Sequence, residues 1–340
     1  MQKIISFVIS EAKKLKKGTV LEYKPSESAP KHSASAIPLQ FEAKKLTKNI
    51  GGLPAQFAIR SYPPNHLLIE ATIEVDDIFS ENALTLREQL VEACQDISQK
   101  QGGSLDMSEE YSIALVSGYS GDPQQFFNKS PHIAAFLKSE RIPLDDNEIH
   151  YTLSNQIKYG KDDLVIVDWD GAFVFDVEGK VDDVVNLFET ANLQLLRYRS
   201  LDKELDERLH KVTRFGIVTV PTTLSLMKNK RDIATAFQEI IRVRTEAIAD
   251  FEAIDRDIKL IGDWYSARLY DCISKKFKFD EWKRHVQEKL ESLEDIYTIV
   301  AENFSVSRHQ FLELIQILLF FVLQAGWFAL IILEFFYFTK

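Results

Sequence analysis

Cysteine is scarce. The 340 residues hold two, Cys94 and Cys272, too few for a disulfide framework or a cysteine-rich metal centre, and the count fits a reducing compartment. Positive charge is in deficit: 41 Lys and Arg against 51 Asp and Glu leave a net −10, which excludes broad electrostatic binding to nucleic acid. The small basic run KNKRD at 228–232 reads as a solvated helix end. Phosphate-cradling glycine motifs are missing, both the Walker type and Gly-x-Gly-x-x-Gly. The stretch SGYSGD at 117–122 is not Gly-x-Ser-x-Gly, so no nucleophile elbow is present. The seven histidines (His32, His66, His132, His150, His210, His285, His309) include no pair at metal-ligand spacing and no His-Glu-x-x-His. Each is expected on the surface or locally paired. No catalytic, cofactor-binding or metal-ligating residue is assigned, and no cofactor is expected.

The amino-terminal stretch MQKIISFVISEAKKLKKG puts its lysines after the apolar run, the reverse of a secretory signal. It has Glu11 and no Arg, unlike a mitochondrial presequence. It reads as an amphipathic helix or strand. With 45% apolar and 27% charged residues, a packed core is expected in about two domains.

Long apolar runs are confined to one place. From Ile317 to Phe338 only Gln324 and Glu334 are strongly polar, and a bilayer core takes about 20 apolar residues as a helix. Ile317, Phe320, Phe321, Leu323, Trp327, Leu330, Ile331, Ile332 and Phe335 are therefore expected to face lipid. Arg308 and His309 suit the near interface, and Trp327, Tyr337 and Lys340 the far one. With two residues after Phe338 and no signal ahead, the span is expected to insert after synthesis. That leaves the bulk of the chain in the cytoplasm, or in a matrix if the protein is organellar.

Residues Lys24–Pro38 are rich in Ser, Pro and Ala, a linker composition. After it come predicted strands at His66–Val75, Tyr111–Tyr119 and Ile149–Ile157, a helix at Glu81–Lys100, and a helical stretch at Pro123–Glu140 that Pro131 can split. The stretch DDLVIVDWDGAFVFD (Asp162–Asp176) carries Asp-x-Asp-Gly after an apolar run. This resembles the nucleophile motif of haloacid-dehalogenase phosphatases, with Asp168 and Asp170 as the acids. That chemistry needs a helix directly after the loop and further strands bearing Ser/Thr, Lys and acids. The flanks here are β-rich on both sides, so the spacing predicts a hairpin turning on Asp170-Gly171, with Val167 opposite Val174.

From Val181 the spacing becomes helical. Val184, Phe188, Ala191, Leu195, Tyr198, Leu205 and Leu209 alternate at fours and threes, the pattern of a coiled-coil seam. A second helix is predicted from about Leu224 to Ile261, with Phe237, Ile241, Ile248 and Phe251 on its stripe. A third begins near Asp280 with Leu290, Leu293 and Tyr297, and neither Pro nor Gly interrupts it before Gln324. Leu195, Tyr198, Leu205, Phe237, Ile241, Ile248, Phe251, Leu290, Leu293 and Tyr297 are the expected helical interface.

The segment Gly262–Phe321 resembles the C-terminal half of the "required for meiotic nuclear division" family. The likeness rests on Trp264, Leu269-Tyr270, Trp282, Leu290, Leu293, Arg308-His309 and Leu312-Glu313, in that order. The family's Ser-His-Ala-Leu-Ala-Gln-Ser-like stretch has only a distant counterpart in LFETANLQLLRY (Leu187–Tyr198). The resemblance implies a membrane-anchored oligomer. Eukaryotic relatives are mitochondrial inner-membrane proteins linked to organellar translation.

The expected fold is α+β: a small ferredoxin-like α/β domain, then a long-helix antiparallel bundle and a C-terminal transmembrane helix. The expected domains are 1–40 (N-terminal segment and linker), 41–180 (α+β), 181–305 (helical, coiled-coil-like) and 306–340 (span). The expected function is a non-enzymatic, membrane-anchored oligomeric scaffold whose partners are lipid and further copies of itself, not nucleic acid. Two alternatives are a CorA-like divalent-cation transporter, which would need two spans and a Gly-Met-Asn loop, and a phosphatase using Asp168 and Asp170.

Overall fold

The computed structural model describes residues 1–12, 18–21, 40–217 and 264–338, with 241, 242, 245, 248 and 249 between them. The linker expected at 24–38 and nearly all of the helix expected at 224–261, Phe237 and Phe251 included, lie outside these residues. The chain is a mixed α+β protein organised around one large sheet, and it divides into two compact units: Met1–Glu204 with Ile248–Val286, and Leu205–Ala247 with Gln287–Lys340.

In the first unit the described residues form nine strands: β1 (Gln2–Ala12), β2 (Thr19–Leu21), β3 (Gln40–Ile50), β4 (Leu53–Tyr62), β5 (His66–Val75), β6 (Gly103–Val116), β7 (Gln156–Ile157), β8 (Asp163–Val167) and β9 (Gly171–Asp176). Their order is β2-β3-β4-β5-β1-β6-β9-β8-β7. The first strand therefore sits inside the sheet, antiparallel to both β5 and β6. Residues 1–12 are not a separate N-terminal segment, because Ile4 through Ile9 are apolar on both faces apart from Ser6 and only an inner strand buries both. The Gly51-Gly52 turn joins β3 to β4, with both glycines at positive φ (56° and 88°), a conformation that carries little steric cost without a Cβ.

Helix α1 (Glu81–Lys100) links β5 to β6, which are parallel across the intervening β1. Its Ala83, Leu86, Leu90, Cys94 and Ile97 pack into one core with Ile4, Val8, Ile69, Ala114 and Phe173. A 3-10 turn at Pro123–Lys129 runs into α2 (Ser130–Lys138), with Pro131 in its first turn, where a missing N–H costs nothing. The third strand expected at Ile149–Ile157 is instead α3 (Asp146–Ser154) followed by the two residues of β7. Asp145 decides this by accepting from the Asn147 N–H at 2.9 Å, an N-cap that closes the first turn. Ile149 and Leu153, four apart, then face the core.

The opposite sheet face carries Phe7, Tyr111 and Tyr62, and the part of α4 (Asp182–Ile217) that belongs to this unit, as far as Glu204, lies on it. Phe188 stacks on Tyr111 at 5.1 Å, the Ser200 hydroxyl donates to Glu11 Oε1 (2.5 Å), and Arg199 pairs with Glu109. The coiled-coil-like seam is thus buried from Val184 to Leu205, but as far as Tyr198 its partners are the sheet and the aromatic corner of Tyr270, Phe277 and Phe279. That corner belongs to α5 (Trp264–Lys276) and the start of α6 (Phe279–Phe338). In the second unit Leu205 and Leu293 are fully buried and Lys289 pairs with Asp206 at 2.8 Å.

Candidate functional site

Two buried polar groupings and one exposed apolar helix stand out. The first grouping is the loop between β8 and β9. The hairpin exists, in a different register from the expected one: Val167 faces Ala172 and Ile166 faces Phe173. The turn is Asp168-Trp169-Asp170-Gly171, closed by Asp168 N–H on Gly171 O at 2.8 Å. Gly171 is not the positive-φ residue of a two-residue turn. It starts β9 beside β6, and a Cβ there would meet Ser112 O at 2.8 Å. Close backbone approach, rather than turn geometry, demands glycine at this position.

Asp168 is drawn inward. Its side chain is 5% exposed and pairs with Lys276 of α5 through Oδ1 at 3.0 Å. Lys138 of α2 stands 3.6 Å from Oδ2 and is held by Glu148 at 2.7 Å. Tyr111 OH donates to the Asp168 carbonyl at 3.0 Å. Arg87 donates to the carbonyls of Phe136 and, at 2.7 Å, Asp170. Burial raises the Asp170 carboxyl, with Arg87 opposing and Asp168 assisting. A strand follows this loop where the dehalogenase arrangement requires a helix, and both flanking cations are engaged by carboxylates. The chemistry on view is that of a corner joining α2, α5, β6, β8 and β9.

The second grouping lies between the sheet and α4, and the sequence pattern did not announce it. Arg60 (β4) donates to both oxygens of Glu189 (α4), Nη1 to Oε2 at 2.8 Å and Nη2 to Oε1 at 3.0 Å. It also donates to Glu70 (β5) and to Gln40 Oε1 (β3) at 3.2 Å. Tyr62 OH donates to Glu189 Oε2 at 3.3 Å. Glu189 is completely buried. Burial pushes its carboxyl up to about 8, against the pull of Arg60 and with the push of Glu70. One guanidinium faces two carboxyls, so the neutral state of the cluster holds one proton on the carboxyl pair.

His66, paired across the hairpin with Tyr62, is 5% exposed. Among the described residues neither ring nitrogen meets a partner. Burial, with Arg197 nearby, lowers its imidazole to about 4. It is therefore a core histidine and not the surface or paired residue expected. His132, His150, His210 and His285 are exposed.

In the second unit, Leu312–Phe335 forms 24 residues of helix long and apolar enough to cross a membrane, and none of it is buried. Ile317, Phe320, Phe321, Leu323, Trp327, Leu330, Ile331, Ile332 and Phe335 are all exposed. Of the expected helical interface, Leu195, Tyr198, Leu205 and Leu293 are buried, Leu290 is half-buried, and Ile241 and Ile248 are exposed. The side chain of Tyr297 lies outside the described residues.

A family model described as "Uncharacterized protein MJ0711, N-terminal domain" matches residues 9–182. The chain belongs to the MJ0711 N-terminal domain family. The match runs from the end of β1 to the first residue of α4, so β2–β9 and α1–α3 lie within it. Asp168, Asp170, Arg87, Lys138 and Arg60 fall inside it, whereas Lys276 and Glu189 lie beyond. A protein of Methanocaldococcus jannaschii described as "Uncharacterized protein MJ0711" is 26% identical over 251 residues, which cover 74% of each chain. No solved structure matches.

Sequence patterning missed Arg60, Glu70 and Glu189 because each looks like an ordinary charge on a mixed face, and the cluster forms only between separate elements. The available signal was a charge between apolar neighbours: Arg60 follows Ala58 and precedes Tyr62 on one side of β4.

Proposed function

We propose that this protein is a membrane-anchored, non-enzymatic assembly protein. The helix Leu312–Phe335 dwells in a bilayer, the sheet domain is held beside that membrane, and the long helices carry contacts between copies. A single observation carries the reading: a 24-residue apolar helix with no buried residue. Removing each large apolar side chain from water is worth about 1.5–3 kcal/mol. A dozen such side chains amount to some tens of kcal/mol, more than the whole stability of a typical domain. A segment of this kind is covered by lipid. In sequence, Arg308 and His309 precede the run and Tyr337 follows it, the expected dressing of two interfaces.

Two further features support the reading. The β5–α1–β6 unit, split by β1, is the element from which ferredoxin-like domains are built, and such domains serve as packing and recognition modules as readily as enzymes. The resemblance of Gly262–Phe321 to the "required for meiotic nuclear division" family points the same way, toward a membrane-anchored oligomer.

The test is flotation. The full chain, mixed with phosphatidylcholine vesicles and spun through a density gradient, is expected at the top with the lipid, while a version ending at Glu302 stays at the bottom. A full chain that remains monodisperse in buffer without detergent and ignores vesicles would overturn the reading.

A further inference from the structure

The apolar span is not apolar all round. Its polar side chains are Glu313, Gln316, Gln324 and Glu334. At about 100° per residue, with Gln324 set at zero, Glu313 falls near −20° and Gln316 and Glu334 both near −80°. All four occupy an arc of about 80°, which also holds Phe320, Trp327 and Ile331. The opposite side carries Ile315, Leu318, Val322, Ala325, Gly326, Ala329 and Leu333. At Gly326 a Cβ would meet nothing within 4 Å, so this helix has no neighbour there among the described residues.

Depth separates the four. Leu312–Phe335 is centred beside Gln324. At 1.5 Å per residue, Glu334 and Glu313 lie about 15 Å to either side, the edges of a hydrocarbon core about 30 Å thick. Their carboxyls reach headgroups and water. Gln324 does not, for its carboxamide sits at the midplane, where an unpaired polar group is costly. The whole span is exposed and nothing among the described residues covers it, so a second molecule is the partner sought.

We infer that this helix pairs with the same helix of a second copy along the Glu313–Gln316–Gln324–Glu334 arc, the two Gln324 side chains closing a carboxamide pair at the bilayer midplane. The inference rests on the membrane reading above. A carboxamide both donates and accepts, so two identical ones satisfy each other across a two-fold axis. Copies of one chain insert the same way round, which brings their Gln324 residues to the same depth. The span offers no cation or anion at that depth that would select a different, charged partner. Phe320, Trp327 and Ile331 flank Gln324 on the arc and supply the packing that drives helix association in lipid.

The experiment is cysteine crosslinking of the full chain in phosphatidylcholine vesicles, in a Cys272→Ser background because Cys94 is buried and Cys272 is partly exposed. Single cysteines are placed on the arc (Phe320→Cys, Ile331→Cys) and opposite it (Leu318→Cys, Leu333→Cys), and the vesicles are oxidised. Covalent dimer is expected at 320 and 331 and not at 318 and 333. Adding Gln324→Leu to Phe320→Cys should weaken dimer formation by about three- to thirty-fold, the range of one interhelical hydrogen bond in a membrane. Equal crosslinking on both faces, no crosslinking, or indifference to Gln324→Leu would overturn the pairing while the chain still floats with vesicles. A chain that no longer floats would sink the membrane reading and this inference together.

Discussion

Arg60→Met tests the claim that the contact between sheet and α4 is electrostatically balanced. The substitution keeps most of the side-chain bulk and removes one buried positive charge together with four hydrogen bonds, two to Glu189 and one each to Glu70 and Gln40. Two carboxyls then face each other beneath α4 without a counter-ion. Removing one member of a buried ion pair typically costs about 3–5 kcal/mol. The molecule can relieve the repulsion by taking up a second proton, which costs about 1.4 kcal/mol for each pH unit above an ordinary carboxyl pKa near 4.3. The penalty should therefore be about 3–4 kcal/mol near pH 7 and about 1 kcal/mol at pH 5.

The parent has its own slope. Glu189 binds a proton in the folded state up to about pH 8, against an ordinary 4.5. Its contribution is thus complete below pH 4.5 and lost as the pH rises through 8. Glu189→Gln should flatten that slope. Guanidinium unfolding of the full chain in detergent, followed by circular dichroism at pH 5, 6.5 and 8, reads all three proteins. A cost for Arg60→Met below about 1 kcal/mol at pH 7 to 8, or one that does not shrink at pH 5, would refute the reasoning.

Acid should act in the opposite sense through His66. Its folded imidazole sits at about 4 against an ordinary 6.5, so stability is lost as the pH falls from 6.5 to 4, by roughly 3 kcal/mol in all. His66→Phe should remove that loss in the same unfolding series, and an unchanged acid limb would count against a neutral, buried imidazole. Gly171→Ala should cost about 1–3 kcal/mol, because its Cβ would meet Ser112 O at 2.8 Å; a neutral effect would mean that β9 stands off from β6. Asp168→Asn should lower stability by about 1–3 kcal/mol and leave phosphate release from a generic ester at the blank value, whereas a measurable activity that this change abolishes would revive the phosphatase alternative.

The parts of the fold legible in the sequence are those fixed by local pattern. The β5 and α1 segments and the 111–116 half of β6 announce themselves by period, and the break at Pro131 and the long uninterrupted α6 by the placement of Pro and Gly; the 103–110 half of β6 does not. Where local signals conflicted, the cap decided: Ile149–Ile157 alternates like a strand, yet Asp145 and the 149/153 spacing make α3. The hairpin at Asp162–Asp176 was legible and its register was not. Register there is set by Gly171 pairing with β6 and by Asp168 turning in toward Lys276, both contacts made with distant segments. The Arg60–Glu189 cluster joins residues 129 apart in sequence, and neither strand nor helix periodicity carries information across that gap. The β3–β4 hairpin could have been found, since Gly51-Gly52 between extended flanks is a turn signal in its own right.

The position of β1 has a consequence for how the molecule is made. Its two neighbours, β5 and β6, end at Val75 and Val116, so β1 cannot find its full complement until about a hundred residues beyond it have been made. At roughly 5–20 residues per second that is an interval of about 5–20 s, during which at least one edge of IISFVI stands unpaired. The strand β1 and the helix Leu312–Phe335 are thus two greasy segments of one polypeptide with different fates: the sheet covers the first, and nothing among the described residues covers the second.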